Sequence, residues 1–204
     1  MKVVVAGGNG LIGSAIVKKL KQKGWEVIIN ELESFGMYEV EEEFPYGQSI
    51  DAFVNAAYPN GFIKHATFFQ NRTQELCENY KDGKFSIVNI ASIYGIIGPD
   101  DSLYEGTDMK MHAWYAAAKG AIVSHSRCMA VRYAPNVRIN CVSPGGVFDN
   151  QPESFVKKYC EKVPMGRMAS PEDVAGVVAF LLSDDADYIT GQNIIIDGGL
   201  TAGL

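Results

Sequence analysis

The sequence predicts a doubly wound α/β fold, in which one parallel sheet of about six to seven strands carries helices on both faces. The first observation is that an apolar strand, a glycine-rich turn and a helix follow one another over residues 2–24, as in the first half of a βαβ unit. The second is that short apolar segments at 50–57, 84–91, 137–142 and 192–197 alternate with helical segments. Strands that are apolar at nearly every position are typical of parallel sheets buried on both faces.

The length and composition of the chain predict a single domain over residues 1–204. The chain is 47% hydrophobic and 21% charged, which suits one sizeable core. Its formal net charge of −6 and pI of about 5.1 argue against a nucleic-acid or anionic-membrane partner, because either would favour a basic patch. We find no internal repeat, linker or low-complexity segment.

The cysteines and histidines predict neither disulfides nor a metal site. The cysteines show no Cys-x-x-Cys spacing, so we expect reduced thiols in a cytoplasmic protein. The histidines have no metal-ligand spacing and no cysteine partners, which argues against zinc. The apolar start runs into glycines rather than a signal-peptide cleavage site, and no apolar run reaches the length of a membrane span.

The glycine-rich turn after the first strand predicts a dinucleotide site. Gly7 permits the tight turn, Gly10 lets the backbone approach a pyrophosphate, and Gly13 lets the helix pack closely on the strand. Backbone N–H groups at the start of the helix would then face the phosphates. The alternative is a glycine-rich turn that binds no ligand. The candidate cofactor-binding residues here are Gly7, Asn9, Gly10, Leu11, Ile12 and Gly13.

The second strand, over residues 26–30, is followed by Glu31, which lies 18 residues after Gly13. An acidic side chain at this point can accept hydrogen bonds from the adenosine ribose hydroxyls and would repel a 2′-phosphate. No lysine or arginine in residues 25–50 offsets that repulsion. We therefore expect NAD to be preferred over NADP, the alternative being that Glu31 is an ordinary loop carboxylate.

The later elements set up a loop-rich edge of the sheet. Residues 31–49 are acidic and weakly patterned, with a brief strand at 37–40 as one possibility. The long loop over 93–113 is predicted to form a substrate wall or lid, and 148–168 a mobile segment over the site. The remaining elements are strand 50–57, helix 60–82, strand 84–91, a helix that carries Tyr115 and continues to about Ala134, strand 137–142, a helix capped by Ser170 that ends at Ser183, and strand 192–197.

Ser92, Tyr115 and Lys119 are the candidate catalytic residues. Ser92 follows the strand over 84–91, at the carboxyl end where ligands bind in open parallel sheets. Tyr115 and Lys119 are four residues apart, so they lie on one face of a helix. A neighbouring cation stabilises a phenolate and lowers its pKa from about 10 towards neutrality. A Tyr-x-x-x-Lys spacing also occurs by chance in many helices.

The motifs, taken in order, resemble those of the short-chain dehydrogenase/reductase family. The resemblance covers nearly the whole chain. It implies a single Rossmann-type domain with a nicotinamide cofactor. The matching motifs are Gly7-x-x-Gly10-x-x-Gly13, Asn55-Ala56-Ala57, Ile87-Val-Asn-Ile-Ala-Ser92, Tyr115-x-x-x-Lys119, Arg138-Ile-Asn-x-Val-Ser-Pro-Gly145 and Thr190-Gly-Gln…Asp197-Gly-Gly199.

The resemblance also implies a role for each matching residue. Tyr115 would be the general acid/base, Ser92 would orient the reacting oxygen, and Lys119 would hold the nicotinamide ribose and lower the pKa of Tyr115. Hydride would pass between the nicotinamide and a carbonyl or alcohol carbon of a small-molecule substrate. A homodimer or homotetramer sharing the Tyr115 helix is expected. The further cofactor-binding candidates are Asn55, Ala56 and Ala57 beside the cofactor, and Pro144, Gly145 and Val147 beside its carboxamide.

Several departures from the family pattern leave other functions open. The chain is short, mainly over 31–80, and lysine and histidine stand near the position of the family's fourth catalytic residue, an asparagine. A nucleotide-binding regulator or scaffold with little activity is therefore an alternative, and the glycine spacing leaves room for a sugar epimerase or dehydratase with bound NAD. Loops 103–107 and 143–152 resemble those of family members that act on bacterial surface sugars and flagellin glycans, which suggests a nucleotide-activated or nonulosonic sugar.

Overall fold

Six parallel strands form a single sheet in the computed structural model, which describes residues 1–30, 49–58 and 62–203, without the side chains of 62–65. The strand order is β2-β1-β3-β4-β5-β6, with every neighbouring pair parallel. The strands are Lys2–Ala6 (β1), Glu26–Asn30 (β2), Ala52–Asn55 (β3), Phe85–Ile90 (β4), Val137–Pro144 (β5) and Asn193–Ile196 (β6).

Five α-helices accompany these strands in the described part of the chain. Two short 3₁₀ turns, at 93–95 and 101–103, interrupt the loop between β4 and α3. Among the described residues, none of the helices is both long and apolar enough to cross a bilayer. The helices are Leu11–Gln22 (α1), Phe62–Tyr80 (α2), Ala113–Tyr133 (α3), Glu153–Lys162 (α4) and Pro171–Leu182 (α5).

The two faces of the sheet are buried under different helices. In β1, Val4 joins the core beneath α2 and α3, whereas Val3 and Val5 join the core beneath α1 and α5. Successive side chains of a strand point to opposite faces, so an unbroken apolar strand contributes to both cores. The predicted doubly wound α/β fold, with six strands and helices on both faces, is therefore confirmed.

The boundaries of several elements differ from the prediction. Helix α1 begins at Leu11, within the glycine-rich turn, because Gly10 already serves as its N-cap. Helix α4 occupies the centre of 148–168, for which the sequence predicts a mobile segment over the site. The predicted capping by Ser170 is confirmed: its hydroxyl and the Asp173 carboxylate form a reciprocal capping box. The possible strand at 37–40 lies outside the described residues.

The carboxyl ends of the strands bring the candidate residues to one edge of the sheet. Asn55 ends β3 and is in register with Ala6 of β1 and with Asn89 of β4, three residues before Ser92. The order β2-β1-β3 means that the chain changes direction of winding between β1 and β3. Ligands of doubly wound sheets bind in the crevice at such a switch point.

Candidate active site

The close packing of α1 on the turn after β1 requires glycine at two positions. Gly7 has a φ of +72°, and a Cβ on it would lie 2.7 Å from the Cα of Ala57. A Cβ on Gly13 would lie 2.0 Å from the carbonyl oxygen of Gly7. The turn therefore packs α1 directly against β1 and leaves no side chain between them.

The first turn of α1 presents backbone donors at this edge of the sheet. Gly10 is the N-cap and has no side chain to accept their hydrogen bonds. The N–H groups at the start of a helix have no acceptor within the helix, so those of Leu11, Ile12 and Gly13 are available to an anion. Asn9 is exposed beside them. A phosphate-bearing ligand is the kind of group that this turn can hold.

Asn55 is the clearest sign that a polar ligand belongs beside the turn. Its side chain is 0% exposed, and neither the oxygen nor the nitrogen of its amide finds a hydrogen-bond partner among the described residues. Leaving a buried amide unsatisfied costs about 1–3 kcal/mol per group. Asn55 is followed by Ala56 and Ala57, whose backbone packs against Gly7, so the amide lies near the glycine turn.

Ser92 is held in place by the turn that follows it. It is 7% exposed, and its Oγ accepts a hydrogen bond from the N–H of Tyr94 at 3.2 Å, which caps the 3₁₀ turn at 93–95. That turn rests on α3, because a Cβ on Gly95 would lie 2.7 Å from the carbonyl carbon of Lys119. Gly95 lies in the loop that the sequence predicts over 93–113, and its contact with α3 depends on how that loop packs.

Tyr115 lies in the first turn of α3 and shares a hydrogen bond with Ser92. Burial raises the pKa of Tyr115 to about 12, and the Ser92 hydrogen bond only partly opposes this rise. Desolvation of the phenolate has the largest effect on this pKa, and Lys119, which the sequence predicts to lower it, does not bring it towards neutrality in this arrangement. The phenol is fully protonated at neutral pH.

Lys119 lies beneath Tyr115, one helical turn further along α3. Its Nζ donates a hydrogen bond to the carbonyl oxygen of Ile90 at 2.9 Å and lies 5.6 Å from the centre of the Tyr115 ring. The side chain is 3% exposed, and this burial lowers the pKa of Lys119 to about 7. The phenyl ring of Phe69, from α2, lies 5.2 Å from the same nitrogen. The amine can therefore gain or lose a proton near neutral pH.

A cleft of about 290 Å³ opens in front of Ser92 and Tyr115. Its lining is rich in aromatic rings, and the hydroxyl groups of Tyr94 and Tyr104 lie 3.0 Å apart in its wall. Among the described residues, no carboxylate side chain lines it, whereas Lys110 and His112 do. The other lining residues are Tyr58, Ile93, Met109, Met111, Trp114, Gly145, Gly146, Val147, Gln151, Phe155, Tyr159 and Met168.

The segment after β5 forms the opposite wall. The N–H of Gly145 donates to the carbonyl of Ile196 at 2.8 Å, and that of Gly146 donates to the hydroxyl oxygen of Tyr159 at 2.5 Å. Pro144 is the buried last residue of β5. The structure therefore brings Gly145 and Val147 to the same cleft as Ser92 and Tyr115, while Lys119 lies behind Tyr115.

The remaining predicted residues are only partly accounted for. Glu31 lies outside the described residues, but Asn30 before it accepts a hydrogen bond from the N–H of Gly7 at 3.0 Å. The sequence interpretation missed Tyr94 and Tyr159 as cleft residues. Apolar positions at 155, 159 and 163 repeat every four residues and could have revealed α4. No group of potential metal ligands occurs in the described part of the chain.

Known proteins resemble this chain both in sequence and in fold. Residues 69–201 match the family model described as enoyl-(acyl carrier protein) reductase. The chain is 28% identical to post-translational flagellin modification protein A of Campylobacter coli, over 97% of this chain and 96% of that protein. It is 44% identical to meso-2,3-butanediol dehydrogenase of Serratia marcescens over 124 residues, which cover 58% of this chain and 45% of that enzyme.

A solved structure agrees with these relatives. The short chain dehydrogenase of Leptospira borgpetersenii, determined with bound NAD+, superimposes with a TM-score of 0.78 at 29% identity, covering 98% of this chain and 92% of that one. The family model spans well over half of the chain, and the fold match spans nearly all of it. The chain belongs to the short-chain dehydrogenase/reductase family, whose members are oxidoreductases that use a nicotinamide cofactor.

Proposed function

We propose that this protein is an NAD-dependent oxidoreductase that transfers a hydride between NAD(H) and a carbonyl or alcohol substrate. The observation that carries the proposal is the hydrogen bond between Ser92 and Tyr115 on one wall of the cleft, with the buried Lys119 amine behind it. A serine hydroxyl and a protonated phenol that face the same space can hold and protonate one substrate oxygen.

The residues of the sheet edge fit a dinucleotide. The first turn of α1, which follows the N-cap Gly10, offers the backbone N–H groups of residues 11–13 to the pyrophosphate, and the unsatisfied amide of Asn55 offers a polar contact beside it. The backbone of 144–147 would hold the carboxamide end of the cofactor, and Lys119 the ribose next to it. When bound, the nicotinamide supplies or accepts the hydride.

At neutral pH the protonated Tyr115 can act as the proton donor of the reductive direction. With a pKa of about 12, Tyr115 carries the proton that a reduced carbonyl oxygen needs. In the oxidative direction the same residue must first lose that proton, and Lys119 would assist by accepting hydrogen bonds or protons near its pKa of about 7. Ser92 would hold the substrate oxygen in both directions.

We propose that NAD is preferred over NADP because Glu31 follows β2. The support is that β2 ends at Asn30, whose carbonyl accepts a hydrogen bond from the N–H of Gly7. A carboxylate near that turn would accept hydrogen bonds from the adenosine ribose and repel a 2′-phosphate. The Leptospira relative, at 29% identity, was solved with NAD+.

We propose an anionic, hydroxyl-rich substrate, such as a nucleotide-activated or nonulosonic sugar. The hydroxyls of Tyr94 and Tyr104 suit sugar hydroxyls, and the aromatic walls suit a sugar ring or a nucleobase. Lys110 makes no ion pair within the described residues, and no carboxylate from them lines the cleft. A relative that modifies flagellin is consistent with this class.

A second candidate is an NAD(H)-binding regulator or scaffold with little catalytic activity. The observation that favours it is that lysine and histidine stand near the position where the family has its fourth catalytic residue, an asparagine. Cofactor that copurifies and is not consumed would instead favour an epimerase or dehydratase.

We further propose that the protein acts in the cytoplasm as a homodimer or homotetramer with α3 in the interface, which light scattering tests. Val131 supports this arrangement, because it is 84% exposed on α3.

The proposed function is tested by following NADH absorbance with a panel of keto sugars, nucleotide sugars and nonulosonic acids. We expect oxidation of NADH with at least one anionic sugar and little with neutral sugars. Binding of NADH without turnover on any member of the panel would favour the regulator. Failure to bind either NADH or NADPH at millimolar concentration would contradict both candidates.

A further inference from the structure

The phenol of Tyr159 is locked against the backbone of the turn after β5. Tyr159 belongs to α4, is 3% exposed, and its hydroxyl oxygen accepts the hydrogen bond from the N–H of Gly146. A Cβ on Gly145 would lie 2.7 Å from the Tyr159 oxygen, and one on Gly146 would lie 2.8 Å from its Cζ. The ring can occupy this place only because both residues are glycines.

Tyr159 and this glycine pair form a thin partition between two cavities. The cleft in front of Ser92 lies on one side, and a second cavity of about 160 Å³ lies on the other. Tyr159, Gly145 and Gly146 line both of them. The turn is also held by hydrogen bonds from the N–H of Gly145 to the carbonyl of Ile196 and from the N–H of Ala169 to the carbonyl of Gly146, and the hydrogen bond from Gly146 to Tyr159 is what ties it to α4.

Helix α4 links this partition to the substrate wall. Lys158 donates hydrogen bonds from its Nζ to the carbonyls of Ser102 at 2.9 Å and Glu105 at 3.1 Å. The rings of Tyr104 and Phe155 lie 5.3 Å apart, in an apolar cluster that also contains Tyr159. Loop 100–105 and α4 are therefore one packed unit, and Tyr159 is its contact with the turn after β5.

We propose that Tyr159 is a positioning residue, which holds the Gly145–Gly146 backbone in place for the nicotinamide end of the cofactor and ties that end to the substrate wall. The inference rests on the proposed function, because it needs the turn to contact the nicotinamide. It extends that function to α4, which lies outside the Ser92–Tyr115–Lys119 group and which we infer aligns the cofactor with the substrate.

The proposal predicts an effect confined to one end of the dinucleotide. ADP-ribose contains the adenosine and both phosphates of NAD but has no nicotinamide, so it cannot report on the turn after β5. A change that only loosens the fold would weaken the binding of ADP-ribose and of NADH alike. A change that misplaces the turn would weaken the binding of NADH and leave that of ADP-ribose unaffected.

The test is calorimetric titration of Tyr159→Phe with NADH and with ADP-ribose. The variant keeps the ring and removes the acceptor, so we expect the Kd of NADH to rise roughly threefold to tenfold and that of ADP-ribose to change by less than about twofold. Tyr80→Phe is the matched control. Its hydroxyl is buried without a partner among the described residues and lies at the far end of α2, so neither Kd should change.

A second variant keeps the proposal falsifiable if Tyr159→Phe is unstable. Gly146→Ala displaces the same ring, so it should raise the Kd of NADH and leave that of ADP-ribose unchanged. The double variant should bind NADH no more weakly than the weaker-binding of the two single variants. Additive effects, equal losses for both ligands, or no loss for NADH would overturn the proposal. If the variants give one of these results while the wild-type protein binds both ADP-ribose and NADH, only the role of Tyr159 is contradicted and the proposed function stands. If the wild-type protein binds neither ligand, the proposed function itself is contradicted.

Discussion

Gly95 lies so close to Lys119 that the loop after β4 and the helix that carries Tyr115 share one backbone contact. A methyl group on Gly95 would lie 2.7 Å from the Lys119 carbonyl carbon and 2.9 Å from the N of Gly120. Ser92, three residues before Gly95, caps the same turn. The distance between Ser92 and Tyr115 is therefore set by glycine packing rather than by the long loop between them.

Replacement of Gly95 by alanine should separate Ser92 from Tyr115. The added methyl group meets backbone atoms that cannot rotate away, so we expect a loss of about 1–3 kcal/mol in the free energy of unfolding and a fall of about tenfold or more in kcat. Urea unfolding and NADH turnover measure the two effects. Gly98→Ala is the control, because a Cβ there has no neighbour within 4 Å. Equal behaviour of the two variants would contradict this account.

Replacement of Tyr115 by phenylalanine should remove the proton donor. We expect kcat to fall by at least about a hundredfold, because general acid–base catalysis contributes this much or more. The Kd of NADH should stay within about threefold of wild type, since the ring and its contacts with Tyr58 and Trp114 remain. Steady-state kinetics and calorimetry measure both quantities, and unchanged turnover would show that another group moves the proton.

Burial of Lys119 should make the stability of the protein depend on pH. Its pKa is about 7 when folded and about 10.5 when unfolded, so the unfolded chain binds more protons between these values. The free energy of unfolding should therefore rise with pH from about 7 towards 10, by no more than about 1.4 kcal/mol per pH unit. Urea unfolding at pH 7, 8 and 9 measures the slope. Lys119→Met should flatten it, and an equal slope in the variant would contradict the assignment.

Replacement of Glu31 by alanine should change the cofactor preference. Loss of the carboxylate that accepts hydrogen bonds from the ribose should weaken the binding of NAD roughly tenfold. Loss of its repulsion of the 2′-phosphate should improve the binding of NADP. Calorimetric titration with both cofactors measures the ratio of the two Kd values. A native preference for NADP, or a ratio that Glu31→Ala leaves unchanged, would refute the role of this carboxylate.

Replacement of Lys110 by alanine should weaken an anionic substrate. We expect the KM of the sugar identified by the substrate panel to rise roughly threefold to tenfold, and its dependence on salt to decrease, because the attraction of an exposed cation is screened by salt. Lys18→Ala is the control, since Lys18 is exposed on α1 and does not line the cleft. The same KM and salt dependence in Lys110→Ala and wild type would exclude this contact.

Much of the fold was readable from the sequence alone. The apolar run over 2–6, the glycines that follow and the capping residue Ser170 are local signals, because each depends on side chains that are close in sequence. The same holds for the positions of Ser92 and Tyr115 at the end of a strand and on a helix. Helix α4 was missed because prolines and glycines around it suggested an irregular segment, although its apolar spacing is helical.

Contacts between distant segments set the properties that these local signals leave open. The pKa of Tyr115 moves up rather than down, because burial depends on everything that packs around the ring and not on the spacing to Lys119. Likewise, the contacts of Gly95 with Lys119 and of Tyr159 with Gly146 join segments that are distant in the chain. The fold class and the residue types at the edge of the sheet follow from local sequence signals. The packing of the loops and of α4 determined the protonation state of these residues and the shape of the cleft that they face.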